Sequence, residues 1–149
     1  MTNISFQAIT SANIEAVQMI SLHENQKIFI ETADACLREA ASVEQWRPVA
    51  ILADEQIVGF AMYGSFGKQK DTWIDRIMID KQQQGKGYGK QAMLALIEIV
   101  LATYNVKTIY LSIVEGNSVA RQLYESIGFT YMNEKDPSNG ELMFCYTVQ

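Results

Sequence analysis

Histidine occurs once in this sequence, at His23, and cysteine twice, at Cys36 and Cys145. Neither their number nor their spacing supports a Cys/His metal site, so no metal is expected. Both thiols read as free, which places the protein in the cytoplasm. Long hydrophobic runs are also missing: no apolar stretch is long enough to cross a bilayer without interruption. The opening "MTNISFQAIT" has no basic segment followed by an apolar block, so no signal peptide and no membrane partner are expected. Basic charge is scarce as well. Twelve Lys and Arg stand against seventeen Asp and Glu, a formal net charge of −5. No basic stripe offsets phosphate repulsion, and nucleic acid is therefore not an expected partner.

What is present fits one folded domain, residues 1–149. Apolar residues make up 48% of the chain, enough to build a core and too many for a disordered segment. The acidic excess is lopsided. Up to Asp75 there are ten acidic and five basic residues; from Arg76 onward there are seven of each. An acidic first half suits a small cationic substrate, and it equally suits ordinary solvated helices.

Periodicity gives the order β-α-α-β-β-β-α-β-α-β-β. "ISFQAI" (Ile4 to Ile9) alternates as a strand, and Thr10 or Ser11 can cap a helix reaching Leu22. The polar "HENQKIF" could line a cleft before a second helix, "TADACLREAA", from Thr32. Strands Val49–Ala53 and Ile57–Tyr63 form a hairpin around Asp54-Glu55-Gln56. Gly64 to Lys70 reads as a loop that could move over a substrate. In the next strand, Trp73 to Asp80, period-2 alternation puts Asp75, Ile77 and Ile79 on one face and Ile74, Arg76 and Met78 on the other. Met93, Leu94, Ile97, Val100 and Leu101 recur at helical spacing, so a helix runs from Gly87 to Thr103. A strand at Lys107 to Val114, a helix ending at Gly128 and a closing strand "MFCYTV" complete the chain.

Between the Trp73 strand and the long helix lies "DKQQQGKGYGK", with glycines at 85, 87 and 89. A strand, a glycine-rich turn and a helix make an anion site. The first helical N–H groups lack intrahelical partners, the helix dipole adds partial positive charge, and glycine lets backbone approach an oxygen cluster closely. Lys86 and Lys90 add cations, so a phosphate or diphosphate is the natural guest. The P-loop pattern fails at both ends, because Gln84 replaces its first glycine and Gln91 its Ser/Thr. The dinucleotide fingerprint fails on spacing and on strand position. A plain turn with surplus glycine remains the bland alternative.

Asn117, Ala120, Tyr124, Gly128 and Phe129 then give N-x-x-A-x-x-x-Y-x-x-x-G-F. Here the chain resembles the Gcn5-related N-acetyltransferase (GNAT) superfamily. Its cofactor motif, Gln/Arg-x-x-Gly-x-Gly/Ala, is matched by Gln84, Gly87 and Gly89, and the second motif follows in the family's order. The resemblance covers nearly the whole chain. It implies an α/β fold with a mixed, mostly antiparallel twisted sheet of six to seven strands, about four flanking helices, and strands four and five splayed apart. Acetyl-CoA would lie in the splay as co-substrate. Backbone groups of Gln84, Gly85, Lys86, Gly87, Tyr88 and Gly89, with Lys90 beside them, would hold its diphosphate. Ile77, Met78 and Ile79 would meet the pantetheine arm as an added strand does; Asn117 would touch it from the other side, and Arg121 completes the cofactor set. The same resemblance makes Tyr124 the donor to the departing thiolate and Asp75 the base, directly or through water. Each has a structural alternative, Tyr124 as a packing residue and Asp75 as an ion-pair partner at the strand end. Backbone N–H near Ile77 to Ile79 would serve the oxyanion.

"WRPVAILADEQIVGFAMYG" and "WIDRIMIDKQQQGKGYGK" look more narrowly like the bacterial spermine/spermidine (diamine) acetyltransferase branch. That implies a polyamine acceptor, for which spaced carboxylates and aromatic faces are suited. Glu24, Glu31, Asp34, Glu39 and Glu44 supply carboxylates in the early helices, and Trp46, Tyr63 and Trp73 supply faces. Taken singly, each carboxylate also reads as a solvated helix residue, and His23 as a loop residue without a role. Two other readings stay open: another amine acceptor (a protein N-terminus, a lysine or an aminoglycoside), and a CoA-binding module without catalysis. The family also allows a homodimer.

Overall fold

The computed structural model describes residues 2–27 and 32–148. Glu31, named above as a candidate acceptor contact, lies outside the described residues. Seven strands form one sheet: β1 (Ile4–Ala8), β2 (Arg47–Ala53), β3 (Gln56–Phe66), β4 (Asp71–Ile79), β5 (Thr108–Ile113), β6 (Thr130–Lys135) and β7 (Leu142–Thr147). Their spatial order is β1-β2-β3-β4-β5-β7-β6. All neighbours run antiparallel except β4 and β5, which are parallel. Four α-helices are described: α1 (Ile14–Gln18), α2 (Ala33–Ser42), α3 (Tyr88–Tyr104) and α4 (Ser118–Ile127). The element order and the mixed sheet are those that periodicity and resemblance imply.

The helices cover the two faces of the sheet separately. Leu96, Ile97 and Val100 of α3 pack with Ile74, Ile109, Leu111, Phe129 and Phe144 in one cluster. Val17 of α1 and Cys36, Leu37 and Ala40 of α2 pack with Ala50, Leu52, Phe60 and Met62 in the other. Each buried aliphatic side chain contributes roughly 1.5–3 kcal/mol, so these clusters fix the strand register that positions everything else.

Several local expectations are corrected. Helix α1 stops at Gln18 rather than Leu22, because the next residues are captured by the end of β4. The Ser21 N–H donates to Asp80 Oδ1 at 2.9 Å, and the Ser21 carbonyl accepts from Lys81 N–H at 2.7 Å. Its N-cap is Asn13 rather than Thr10 or Ser11; the buried Asn13 amide ties the turn instead, accepting from Thr10 N–H and donating to the Ala8 carbonyl. The loop proposed from Gly64 is a turn of residues 67–70, since Gly64, Ser65 and Phe66 continue β3 opposite Trp73, Thr72 and Asp71. Phe66 is held there by an edge contact with Trp46, ring centroids 4.8 Å apart. In α3 the core face is Ala92, Met93, Leu96, Ile97 and Val100, whereas Leu94 is exposed, one helical step of about 100° away from Met93. The β2–β3 hairpin turns on Asp54 and Glu55, both at positive φ as a two-residue reverse turn between twisted strands demands.

The correction that matters most for the site concerns β4. Met62 lies opposite Asp75 and Phe60 opposite Met78, so two steps on β3 match three on β4. The extra residue is a β-bulge at Arg76 and Ile77, with Arg76 at φ 55°. Strict alternation fails across it. Ile74 and Ile79, expected on opposite faces, share the α3/α4 cluster, and Met78 joins the α1/α2 cluster.

Candidate active site

Trp73 opposite Tyr110 is the one register pair joining β4 to β5 among the described residues. Beyond it the strands diverge. β4 bends at its bulge, while β5 stays with β7 along Thr108–Ile113. Divergence opens a cleft of about 490 Å³ through the sheet. One wall is Asp75 to Ile79 of β4, and the other is Ser112, Ile113 and Val114 at the end of β5. Asn117, Val119, Ala120, Leu123 and Tyr124 of the α4 region line one end; Leu22, Asn25 and Gln26 line another.

The glycine turn forms the far rim. Gly85 and Gly87 both hold left-handed φ, 82° and 83°. A Cβ at Gly85 would meet nothing within 4 Å, so this glycine answers a backbone conformation and an open approach rather than crowding. Gly87 caps α3, whose first intrahelical bond runs from Gln91 N–H to the Gly87 carbonyl at 3.2 Å. The N–H groups of Tyr88, Gly89 and Lys90 therefore lack intrahelical acceptors, and all three residues line the cleft. Together with the seventeen-residue helix dipole they suit a diphosphate. The Gln84 side chain fixes this rim. Its amide donates to the Ile79 carbonyl at 2.8 Å and exchanges two hydrogen bonds with the Gln26 amide at 2.9 and 3.0 Å.

Asp75 and Tyr124 reach the same cleft from different layers. Asp75 lies on β4 just before the bulge, with its carboxylate accepting from the Arg76 N–H at 2.9 Å and 3.5 Å from Arg76 Nε. Arg76 also binds Glu39 of α2 at 2.6 Å. Burial raises the Asp75 carboxyl to about 6; Arg76 opposes that rise, and the charges of Glu39 and Glu141 reinforce it. The Tyr124 phenol, on α4 and buried, is pushed well above its ordinary value, first by burial and second by the Asp75 charge. Tyr124 therefore keeps its proton near neutrality, while Asp75 is mostly ionised there. A protonated donor and an ionised acceptor, electrostatically coupled, face one space.

Of the residues singled out in the sequence, the structure brings together Asp75, Ile77, Met78, Ile79, Gln84, Gly85, Gly87, Tyr88, Gly89, Lys90, Asn117 and Tyr124. Asn117 also caps α4, accepting from Ala120 N–H at 3.4 Å. Others stand away from the lining. Lys86 bonds Gln83 at 3.1 Å and lies over the Tyr88 ring. Arg121 lies over Tyr131 and Phe144, 3.5 Å from Glu125. Glu24 pairs with Lys27, and Asp34 with Arg38. Trp46 packs on Phe66, Trp73 on Tyr110 and Tyr63 on Tyr104. Glu44 accepts from Arg47 through its backbone carbonyl at 3.5 Å, and the His23 N–H caps a short turn by donating to Gln26. The lining also includes residues that periodicity did not single out: Ser112, Glu141, Asn25 and Gln26. Asn25 and Gln26 belong to the polar stretch "HENQKIF", expected to line a cleft, and Glu141 to "NEKDPSNGEL", which reads as a substrate mouth or a surface turn; only Ser112 has no sequence signal beyond a polar side chain in a strand.

The pattern of the Acetyltransferase (GNAT) family matches residues 14–129. The spermine/spermidine N(1)-acetyltransferase of Bacillus subtilis (strain 168) is 39% identical over 145 residues, spanning 93% of this chain and 95% of that protein. Among solved structures, spermidine N-acetyltransferase from Vibrio cholerae in complex with CoA and spermine aligns with a TM-score of 0.75 and 16% identity, over 97% of this chain and 95% of that one. The aminoglycoside acetyltransferase AAC(6')-Ib in complex with coenzyme A aligns with a TM-score of 0.80 and 17% identity, over 99% and 96%. At those identities the two solved structures speak for the fold alone.

Proposed function

This chain belongs to the acetyltransferase (GNAT) family, and from that premise we propose that it moves the acetyl group of acetyl-CoA directly to an amine of a polyamine such as spermine or spermidine. One observation carries the reading: a single cleft joins the amide-rich rim at Gly85 to Lys90, the open edge of β4, and the pair Asp75 and Tyr124. The preference for a polyamine follows the Bacillus subtilis relative, which matches along nearly the whole chain. Residues 1–149 then act as one cytoplasmic N-acetyltransferase domain. Its partners are CoA and a small amine, and a homodimer is the assembly to test by light scattering.

The bound co-substrate supplies an activated acetyl thioester. The chain's own residues do the rest. Amides of the Gly85–Lys90 rim and the α3 dipole hold the diphosphate, and Ile77, Met78 and Ile79 line the path of the arm. An alkyl ammonium with a pKa of about 10.4 must lose a proton before it attacks. Asp75, ionised above about pH 6, accepts that proton directly or through water. As nitrogen bonds to the acetyl carbon and the carbon–sulfur bond breaks, the Tyr124 hydroxyl donates its proton to the departing sulfur, and the second proton that the nitrogen sheds on becoming an amide restores the phenol. The two groups assist each other. Once Asp75 is protonated, the charge that held the Tyr124 proton back is gone.

Release of free CoA thiol, measured with spermidine, spermine, putrescine, an aminoglycoside and N-terminal and lysine peptides, tests the proposal. Preferred turnover of a polyamine is the expected result. Turnover of a peptide or aminoglycoside alone would replace the acceptor and leave the acetyl transfer standing. No thiol release with any amine would point to a binding module.

A further inference from the structure

Three carboxylates of the early helices are already committed to nearby cations. Glu24 lies 2.8 Å from Lys27, Asp34 3.0 Å from Arg38, and Glu39 2.6 Å from Arg76. Glu141, on the opposite wall of the cleft, is different. It lines the cleft and has no cationic partner among the described residues. Its side chain makes one hydrogen bond there, Ser112 Oγ donating to Glu141 Oε1 at 2.9 Å. The second carboxylate oxygen makes no hydrogen bond among the described residues.

The position of this carboxylate is set by its surroundings. Glu141 N–H donates to Asn139 Oδ1 at 2.9 Å, and the Glu141 carbonyl accepts from Asp136 N–H at 2.8 Å. Leu142, the next residue, is buried and pairs with Ile113 of β5. The carboxylate is thus presented from a braced turn against the β5 end rather than from a free loop. A half-buried carboxylate without a counter-charge presents negative charge to the cleft, and its field also reaches Asp75.

We propose that Glu141, anchored by Ser112, is a specificity-determining residue that holds a distal ammonium of the acceptor while another of its nitrogens stands at Asp75. The inference rests on the polyamine reading above and deepens it. A monoamine has nothing to offer Glu141, whereas an acceptor with several ammonium groups satisfies both walls of the cleft. Discrimination between the two then comes from the β7 side of the site.

Steady-state kinetics of Glu141→Gln with spermidine and with butylamine test this. Measured at about pH 8, where Asp75 is ionised in both proteins, the expected results are a rise of roughly tenfold or more in KM for spermidine, an unchanged KM for acetyl-CoA, and a far smaller change in kcat/KM with butylamine. Glu141→Asp, which keeps the charge and shortens its reach, replaces the first variant if Gln does not fold, with a smaller rise in spermidine KM expected. An unchanged spermidine KM, an equal loss with both amines, or a loss confined to acetyl-CoA would overturn the assignment. A wild-type enzyme that acetylates no polyamine overturns the acceptor reading itself and this inference with it. A wild type active on spermidine beside an indifferent variant overturns Glu141 alone.

Discussion

Replacing Asp75 with asparagine separates the chemistry of this carboxylate from its cost to the fold. Burial lifts Asp75 from 3.8 to about 6, so the folded protein resists its ionisation. The sign follows from linkage. Below pH 3.8 the carboxyl is protonated in both folded and unfolded chains and contributes no difference. Between 3.8 and about 6 the unfolded chain releases the proton first, and stability falls. Above about pH 6 the penalty is constant, and two pKa units correspond to about 3 kcal/mol. An asparagine side chain cannot ionise, so D75N is expected to be more stable than wild type by up to about 3 kcal/mol at about pH 8, or roughly 5–10 °C in melting temperature. That gain shrinks to near zero at about pH 3.5. Urea titrations of both proteins across this range measure the gap. Activity moves the opposite way: kcat/KM of the wild type falls as pH drops through about 6, and D75N loses that limb together with roughly 10²–10⁴ in rate. A stability gap independent of pH would refute the burial argument. An acid limb that survives the substitution would give Asp75 a structural role.

Tyr124→Phe removes the proton donor while keeping the ring that packs against Phe129, so kcat should fall more than about tenfold with little change in KM for acetyl-CoA. An unchanged kcat would take Tyr124 out of the mechanism. Arg76→Gln removes the cation that opposes the rise at Asp75, so the acid limb of kcat/KM should move to higher pH. A limb that moves down or stays would mean that Arg76 does not set the Asp75 charge.

The glycine rim was legible as a candidate anion site from a short local pattern, whereas Tyr124 and Asp75 were singled out through the family resemblance; the structure brings all three to one cleft. Three alternate glycines before a helix, and a tyrosine four residues before a Gly-Phe helix stop, survive without knowledge of long-range contacts. The bulge at Arg76 was not legible. Period-2 alternation assumes a regular strand, and one residue at positive φ transfers Ile79 to the face that holds Ile74. That left-handed arginine carries a backbone cost of roughly 1–2 kcal/mol, and it stands where β4 leaves β5 and lines the cleft.

The acceptor side shows the opposite limit. Glu24 with Lys27, and Asp34 with Arg38, already stand at the i,i+3 and i,i+4 spacings that make local helix pairs, so their engagement could have been read in advance. Glu141 could not. Its place in the cleft depends on β7 lying beside β5, with Leu142 opposite Ile113 and the Glu141 carboxylate reaching Ser112 across 29 residues, a pairing that no local pattern encodes.

Backbone amide shifts recorded by NMR during a titration with acetyl-CoA test the central claim most directly. The account predicts the largest changes at Gly85 to Lys90 and along Ile77 to Ile79. Shifts confined to other parts of the protein, or none at millimolar co-substrate, would contradict it.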